Sequence, residues 1–301
     1  MGQFPARRSG GFAMSARTTV VIATRDRARE LARTLAHLST LDPKPPVVVL
    51  DNASEDETAD VAGRYANVRV IRLPHNLGAA ARTLGVVAAE TPYVAFSDDD
   101  SWWAADALAE AERIFDEHPR TGLLAARTLV GPECRDDPVT PEMERSPLGR
   151  PDGAPGPLVL GFLACSAIVR RTAYLQAGGF SPLLHFGAEE QLLAYDLAAR
   201  GWEVCYVGRL RAHHHPSRSR PPSSWRRRAE LRNRLLIAVL RRPPRVCRRE
   251  VVRTLVRAPG AVLGAAARLP RALGSRRVLP DHVEHQARTL ERTAEWRESR
   301  S

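Results

Sequence analysis

Four short apolar runs punctuate the first hundred residues: Thr18 to Ala23, Pro46 to Leu50, Val68 to Leu73 and Tyr93 to Phe96. They are rich in β-branched residues and read as strands. Helix-period segments separate them. Glu30 to Leu38 sets Leu31, Leu35 and Leu38 on one face. Ser54 with Glu57 three positions on forms a capping box, which predicts a helix running to about Tyr65. Gly78 to Ala89 and Ala104 to Phe115 supply two more helices. Strands alternating with helices predict an α/β fold with right-handed crossovers and a doubly wound parallel sheet.

The second half of the chain is less regular. Gly131 to Pro157 holds seven prolines and four glycines without periodicity, and reads either as a lid-like loop or as a surface excursion. Leu158 to Val169 returns to the sheet. Gln191 to Arg200 is helical, with Leu192, Leu193 and Leu197 facing inward and Gly201 closing it, and Trp202 to Val207 makes a further strand.

Charge divides the chain. From Ser217 onward there are 22 arginines, no lysine and seven acids, a surplus of 15 positive charges against a total of +11, so residues 1–216 carry −4. Leu231 to Arg242 has the pattern of a basic amphipathic helix, and Arg248 to Leu273 continues in kind. Such a helix either lies on an anionic membrane or packs its apolar face on the body. Without interleaved aromatics, nucleic-acid binding ranks last. No apolar stretch approaches the roughly 20 residues of a membrane span, which predicts a soluble or peripheral, cytoplasmic protein. Residues 1–16 read as a disordered leader, and four scattered cysteines fit a reducing compartment.

In doubly wound sheets ligands bind beyond the carboxyl ends of the strands. There this sequence places Thr24-Arg25-Asp26, Asp51-Asn52 and Asp98-Asp99-Asp100. Clustered carboxylates suit a hard cation such as Mn²⁺ or Mg²⁺, which binds substrate phosphates alongside one or two acids. No GxxxxGK[ST] or GxGxxG motif is present, so metal and arginine must neutralise the phosphates.

The series TVVIATRDR, VVVLDNASEDET, HNLGAAARTLGV, YVAFSDDDSWW and FGAEEQLLAYDLAARGWEVCYV resembles the family 2 glycosyltransferases, in order, across residues 18–220. The resemblance implies a GT-A fold: a Rossmann-like, mixed, mainly parallel sheet flanked by helices. It implies a catalytic unit over residues 17–220, with a donor half at 17–130 and an acceptor half at 156–220, followed by an Arg-rich helical extension at 221–301. Asp98 and Asp100 match the DXD motif, the first acid on the ribose and the last on the metal. Asp98 also counts among the metal ligands and Asp99 among the donor contacts. Thr24, Arg25 and Asp51 match the nucleotide pocket, and Asn76 and Arg82 the segment lining the donor. His214 or His215 would complete the metal, with Arg220 on the diphosphate.

The resemblance also assigns Glu189-Glu190 as the catalytic acid pair, usually Glu-Asp in the family, with Glu190 as base and Glu189 orienting the acceptor. Ala23 stands where the family often has proline. The implied reaction is metal-dependent, inverting transfer of a sugar from a nucleotide-diphosphate donor to an acceptor hydroxyl on a glycan, lipid-linked saccharide or small molecule. A non-catalytic nucleotide-binding protein and a nucleotidyltransferase are the competing expectations.

Overall fold

The computed structural model describes residues 16–217 and 222–298. Most of the leader expectation and Arg220 lie outside them. The four predicted strands form as β1 (Thr18–Thr24), β2 (Val47–Asp51), β3 (Val68–Arg72) and β4 (Tyr93–Ser97), all parallel to one another. Both faces of this sheet are covered, which is why the runs are continuously apolar. In β1, Val20 and Ile22 pack with Leu31, Leu35 and Leu38 of α1 (Ala28–Leu38), while Val21 packs on the opposite face with Val86 and Phe96.

The next helix starts late. α2 (Thr58–Ala62) begins beyond the predicted capping box because Ser54 Oγ accepts the Asp26 amide at 3.0 Å instead of capping the helix. Asp56 Oδ1 takes the Thr58 amide at 3.0 Å. A turn of 3-10 helix at Gly78–Ala80 leads into α3 (Ala81–Ala88). After β4 the chain makes a short strand, β5 (Ser101–Trp103), before α4 (Ala107–Glu117) and β6 (Thr121–Val130). The proline-rich segment predicted to be structureless carries β7 (Arg135–Asp136) and α5 (Thr140–Glu144). There follow β8 (Ala167–Arg170), α6 (Arg171–Ala177), α7 (Glu189–Ala198) and β9 (Glu203–His214).

The nine described strands make one mixed sheet in the order β3-β2-β1-β4-β8-β6-β9-β5, with β7 on β6. β9 runs well past the predicted Val207 because it pairs with β6 as far as Val130↔His214 and carries β5 antiparallel on its other edge. The histidines expected just after this strand thus close it or follow it directly.

Five helices complete the described chain: α8 (Ser223–Arg241), α9 (Pro244–Arg257), α10 (Pro259–Ala266), α11 (Leu269–Gly274) and α12 (Asp281–Glu298). The apolar face of α8 is buried against the body: Leu235, Leu236, Ile237 and Leu240 share a core with Leu184, Leu192 and Tyr195. Of the two readings of the Leu231 to Arg242 pattern, packing therefore holds. Its arginines find acids: Arg241 pairs with Asp196 of α7 at 2.6 Å, and buried Arg242 with Glu284 of α12 at 2.7 Å. No described helix is long and apolar enough to cross a membrane.

One α8 residue holds the loop before α7. Asn233, with no exposed surface, directs Nδ2 at the carbonyls of Leu184 (2.9 Å), Phe186 (2.8 Å) and Gly187 (2.5 Å). Asn233→Ala takes this donor from the Phe186 and Gly187 carbonyls, while Leu184 keeps the Arg232 guanidinium and the Phe186 amide, so a loss of about 1–3 kcal/mol is expected in urea unfolding. An unchanged midpoint would show that the loop holds without it.

Candidate active site

β1 has β2 on one side and β4 on the other, so the crossovers diverge there and leave a crevice at the carboxyl ends. The three aspartates stand at its floor. Each is turned to a different partner, which is how adjacent like charges are tolerated. Asp98 forms an ion pair with Arg82, a buried residue of α3 whose guanidinium lies 6.0 Å from the Phe180 ring centroid. Asp99 Oδ2 accepts from Thr24 Oγ1 at 2.8 Å, and its backbone carbonyl from Thr34 Oγ1 at 2.7 Å. Asp100 is buried, with Oδ1 3.3 Å from His214 Nε2 and Oδ2 accepting the Ser217 amide at 2.9 Å. Ser101 Oγ pins the loop by accepting the Asp98 amide at 2.7 Å. Burial, with Asp98 and Asp100 on either side, pushes the Asp99 carboxyl up to about 7.

Strand alternation sorts the histidines. His213 and His215 face Trp102, with ring centroids 5.8 and 4.7 Å away, and His37 stacks on the same indole at 4.0 Å. His214 turns to the acids. Donor atoms of Asp98, Cys165 and His214 lie within 4.8 Å of one another, close to Asp100. The carboxylates and the one imidazole fit Mn²⁺ or Mg²⁺, with Mn²⁺ the better taker of nitrogen, while burial keeps the Cys165 thiol protonated and so outside that donor set. The ring of His215 stands with Trp102, apart from this cluster.

The residues expected on the nucleotide side behave differently from one another. Asp51, at the end of β2 and 1% exposed, accepts the Ser54 amide at 3.0 Å and faces Arg72 Nε at 3.4 Å. Arg25 is half-exposed and paired with Asp26 at 3.2 Å. Asn76 spends its Oδ1 on the Gly78 amide at 2.8 Å, so it shapes a turn. Gly78 has φ +61° and lies so close to the His185 carbonyl that a Cβ would overlap it; the Ala79 amide donates to that carbonyl at 2.8 Å. The Asn76–Gly78 turn is thereby docked on the loop that leads to the acid pair.

That loop enters α7 through Gly187 and Ala188, both left-handed at φ 90° and 62°. Glu189 is buried, and its Oε2 has no hydrogen-bond partner among the described residues. Burial and the neighbouring Glu189 raise the Glu190 carboxyl well above 4.5, and Asp98 adds to the effect while Arg82 opposes it. Burial opposes, but Asp98, Glu189 and Glu190 together hold the Arg82 guanidinium above its ordinary value, so the acid pair lies within electrostatic range of Arg82.

Sequence reasoning did not single out Thr34, Ser101 or Cys165. A hydroxyl one helical turn into α1 and a lone cysteine in an apolar run carry no spacing signal. Nor did it foresee that Ser217 links to α1, donating to Glu30 Oε1 at 2.7 Å and accepting from Arg27 Nη1 at 2.8 Å.

Residues 19–177 match the family model described as glycosyl transferase family 2. The chain belongs to that family. As a family 2 member it is 31% identical over 210 residues to the pre-mycofactocin glycosyltransferases of Mycobacterium tuberculosis strains CDC 1551 / Oshkosh and ATCC 25618 / H37Rv. That alignment covers 67% of this chain and 43% of the relatives' length. The fold is shared with the mannosyltransferase PcManGT from Pyrobaculum calidifontis in complex with GDP-Man and Mn²⁺, at TM-score 0.60 and 21% identity over 94% of this chain and 81% of that one. S. aureus TarS 1–349 in complex with UDP-GlcNAc gives TM-score 0.60 and 18% identity over 91% and 84%. The α/β sheet of this family 2 chain is accordingly of the GT-A type.

Gly78→Ala in this family 2 chain is expected to lower the thermal midpoint, since it combines a strained φ with a backbone overlap costing on the order of 1–3 kcal/mol. A midpoint equal to that of the parent chain would mean the two loops are not locked at this point.

Proposed function

We propose that this chain transfers a sugar from a nucleotide-diphosphate donor to an acceptor hydroxyl, with inversion at the anomeric carbon. The reading rests above all on one observation: the turn at Gly78, just ahead of Arg82 and its partner Asp98, is docked through the Ala79 amide on His185, in the loop that leads to Glu189 and Glu190. This supports a proton acceptor and a leaving-group site served by one crevice.

Asp98, Asp100 and His214 would hold Mn²⁺ or Mg²⁺, which neutralises charge growing on the leaving diphosphate. Thr24, Arg25 and Asp51 at the strand ends, and Arg82 from α3, bind the donor, and Asn76 keeps the turn beside it in shape. Asp99, oriented by the Thr24 hydroxyl, is a further donor contact. Glu190 takes the proton from the acceptor hydroxyl as its oxygen attacks the anomeric carbon from the face opposite the diphosphate. The bond from that carbon to the diphosphate breaks, and nucleoside diphosphate leaves. Glu189 orients the acceptor. No covalent enzyme intermediate is needed.

We read residues 17–220 as the catalytic unit in a cytoplasmic setting, supported by the helical extension. The 31% identity to the pre-mycofactocin glycosyltransferases makes pre-mycofactocin one acceptor to assay; glycans and lipid-linked saccharides are others.

Glu190→Gln should cut turnover by about 10²–10⁴-fold while donor affinity, read by calorimetry, stays within error. Parent-like turnover would place the base elsewhere, and release of pyrophosphate rather than nucleoside diphosphate would overturn the transferase reading. A base works unprotonated, so its raised carboxyl moves the acidic limb of the rate profile well above pH 4.5, with activity rising as pH rises. A flat profile across that limb would remove Glu190 from the role. Asp100→Ala should lower Mn²⁺-dependent affinity for UDP or GDP by at least about tenfold. Equal affinity with and without Mn²⁺ in both proteins would remove the metal.

A further inference from the structure

The face of α8 that looked suited to a membrane is buried, yet the next helices present another. On α9, Arg245, Arg249, Val252 and Val256 recur at helical spacing and stand on one side, while Val246 and Thr254 are buried on the other. The outward side changes character along its length. Its first turns carry arginine. Its last turns carry Val252 at 61% exposure, Leu255 at 48% and Val256 at 80%, and α10 adds Leu263 at 76%.

The arginine end opens into a groove. A cavity of about 540 Å³ lies between α9 and α12, lined by Arg245, Arg249, Arg288 and Arg292 with His285 and Glu291. Arg249 and Arg288 have carboxylate partners, Glu291 at 3.2 Å and Glu284 at 2.6 Å. Arg245 and Arg292 make no ion pair among the described residues. Over residues 244–274 there are seven arginines, no lysine and one acid, Glu250. Large exposed apolar side chains beside uncompensated guanidinium groups match the two layers of an anionic bilayer surface, phosphate outside and acyl chain beneath. Guanidinium forks also suit phosphate oxygens.

We propose that the outer face of α9 and α10 docks on an anionic phospholipid membrane, with the groove between α9 and α12 taking lipid phosphates and Val252, Leu255, Val256 and Leu263 entering the interface. Docking there would hold the catalytic crevice at a lipid surface without a membrane span.

The test is sedimentation of the full chain with extruded vesicles of phosphatidylcholine alone or mixed with phosphatidylglycerol, with no donor or acceptor present, so it is read separately from the transferase reaction. The chain should pellet with the mixed vesicles and release as salt rises. Arg245→Glu/Arg249→Glu should weaken partitioning by about fivefold for each arginine removed. Val252→Asp/Val256→Asp should weaken it by at least about tenfold. Arg245, Val252 and Val256 are exposed, so their replacement should not move the thermal midpoint, and Arg249→Glu, which also loses an exposed pair with Glu291, should move it only slightly. Equal partitioning to both vesicle types, or none to either, overturns the proposal. So does a dimer in solution that the valine variant makes monomeric, since a second copy would then cover this face. Stabilisation by inorganic phosphate that depends on Arg245 and Arg249, without vesicle binding, would make the groove a free-anion site and overturn it too.

Discussion

Three consecutive carboxylates at the end of a strand are the constraint around which the rest of this molecule is arranged. In water they would repel one another only weakly, but in a crevice the repulsion is strong. The fold answers by giving each a separate partner from a separate element: Arg82 from α3 for Asp98, Thr24 from β1 for Asp99, and His214 with the Ser217 amide from the end of β9 for Asp100. Four segments distant in sequence must be in register before the cluster can exist. The cluster is therefore as much a product of the sheet order as of the sequence that encodes it.

The helical extension is coupled to the same site through the loop before α7. Asn233 of α8 is aimed at three of its carbonyls, and Gly187 is packed closely on Glu230, where a Cβ would sit 3.2 Å from the side chain. Arg241 and Asp196 tie α8 to α7 itself. Glu189 and Glu190 stand at the first turn of that helix, so their placement depends on a segment whose composition suggested an appendage. A buried carboxylate such as Glu189, with a second acid beside it, is costly to hold in one position, and the surrounding backbone is fixed from two sides: by α8, and by the Gly78 turn packed on His185.

How much was legible follows from the range of each interaction. The parallel strands β1 to β4, α1, and the strand-end positions of Thr24, Asp51 and Asp98 to Asp100 were readable because they rest on local periodicity. The late start of α2 was not, since the Ser54 hydroxyl is taken by Asp26 from another loop. The length of β9 was hidden for a similar reason: pairing with β6 and β5 extends it through residues whose own pattern does not say strand. The proline-rich segment kept two short elements that no periodicity announced.

What the sequence determined by itself was the α/β class, the family motifs in their order and the acidic floor of the crevice, because alternating apolar runs and strand-terminal acids are properties of neighbours along the chain. The tertiary structure decided which histidine meets Asp100, that Cys165 lies beside it, that α8 is core and that α9 and α10 keep an apolar outer face. Those outcomes depend on which face of a strand or helix turns toward a distant partner, and pairing and packing across the whole sheet set that orientation.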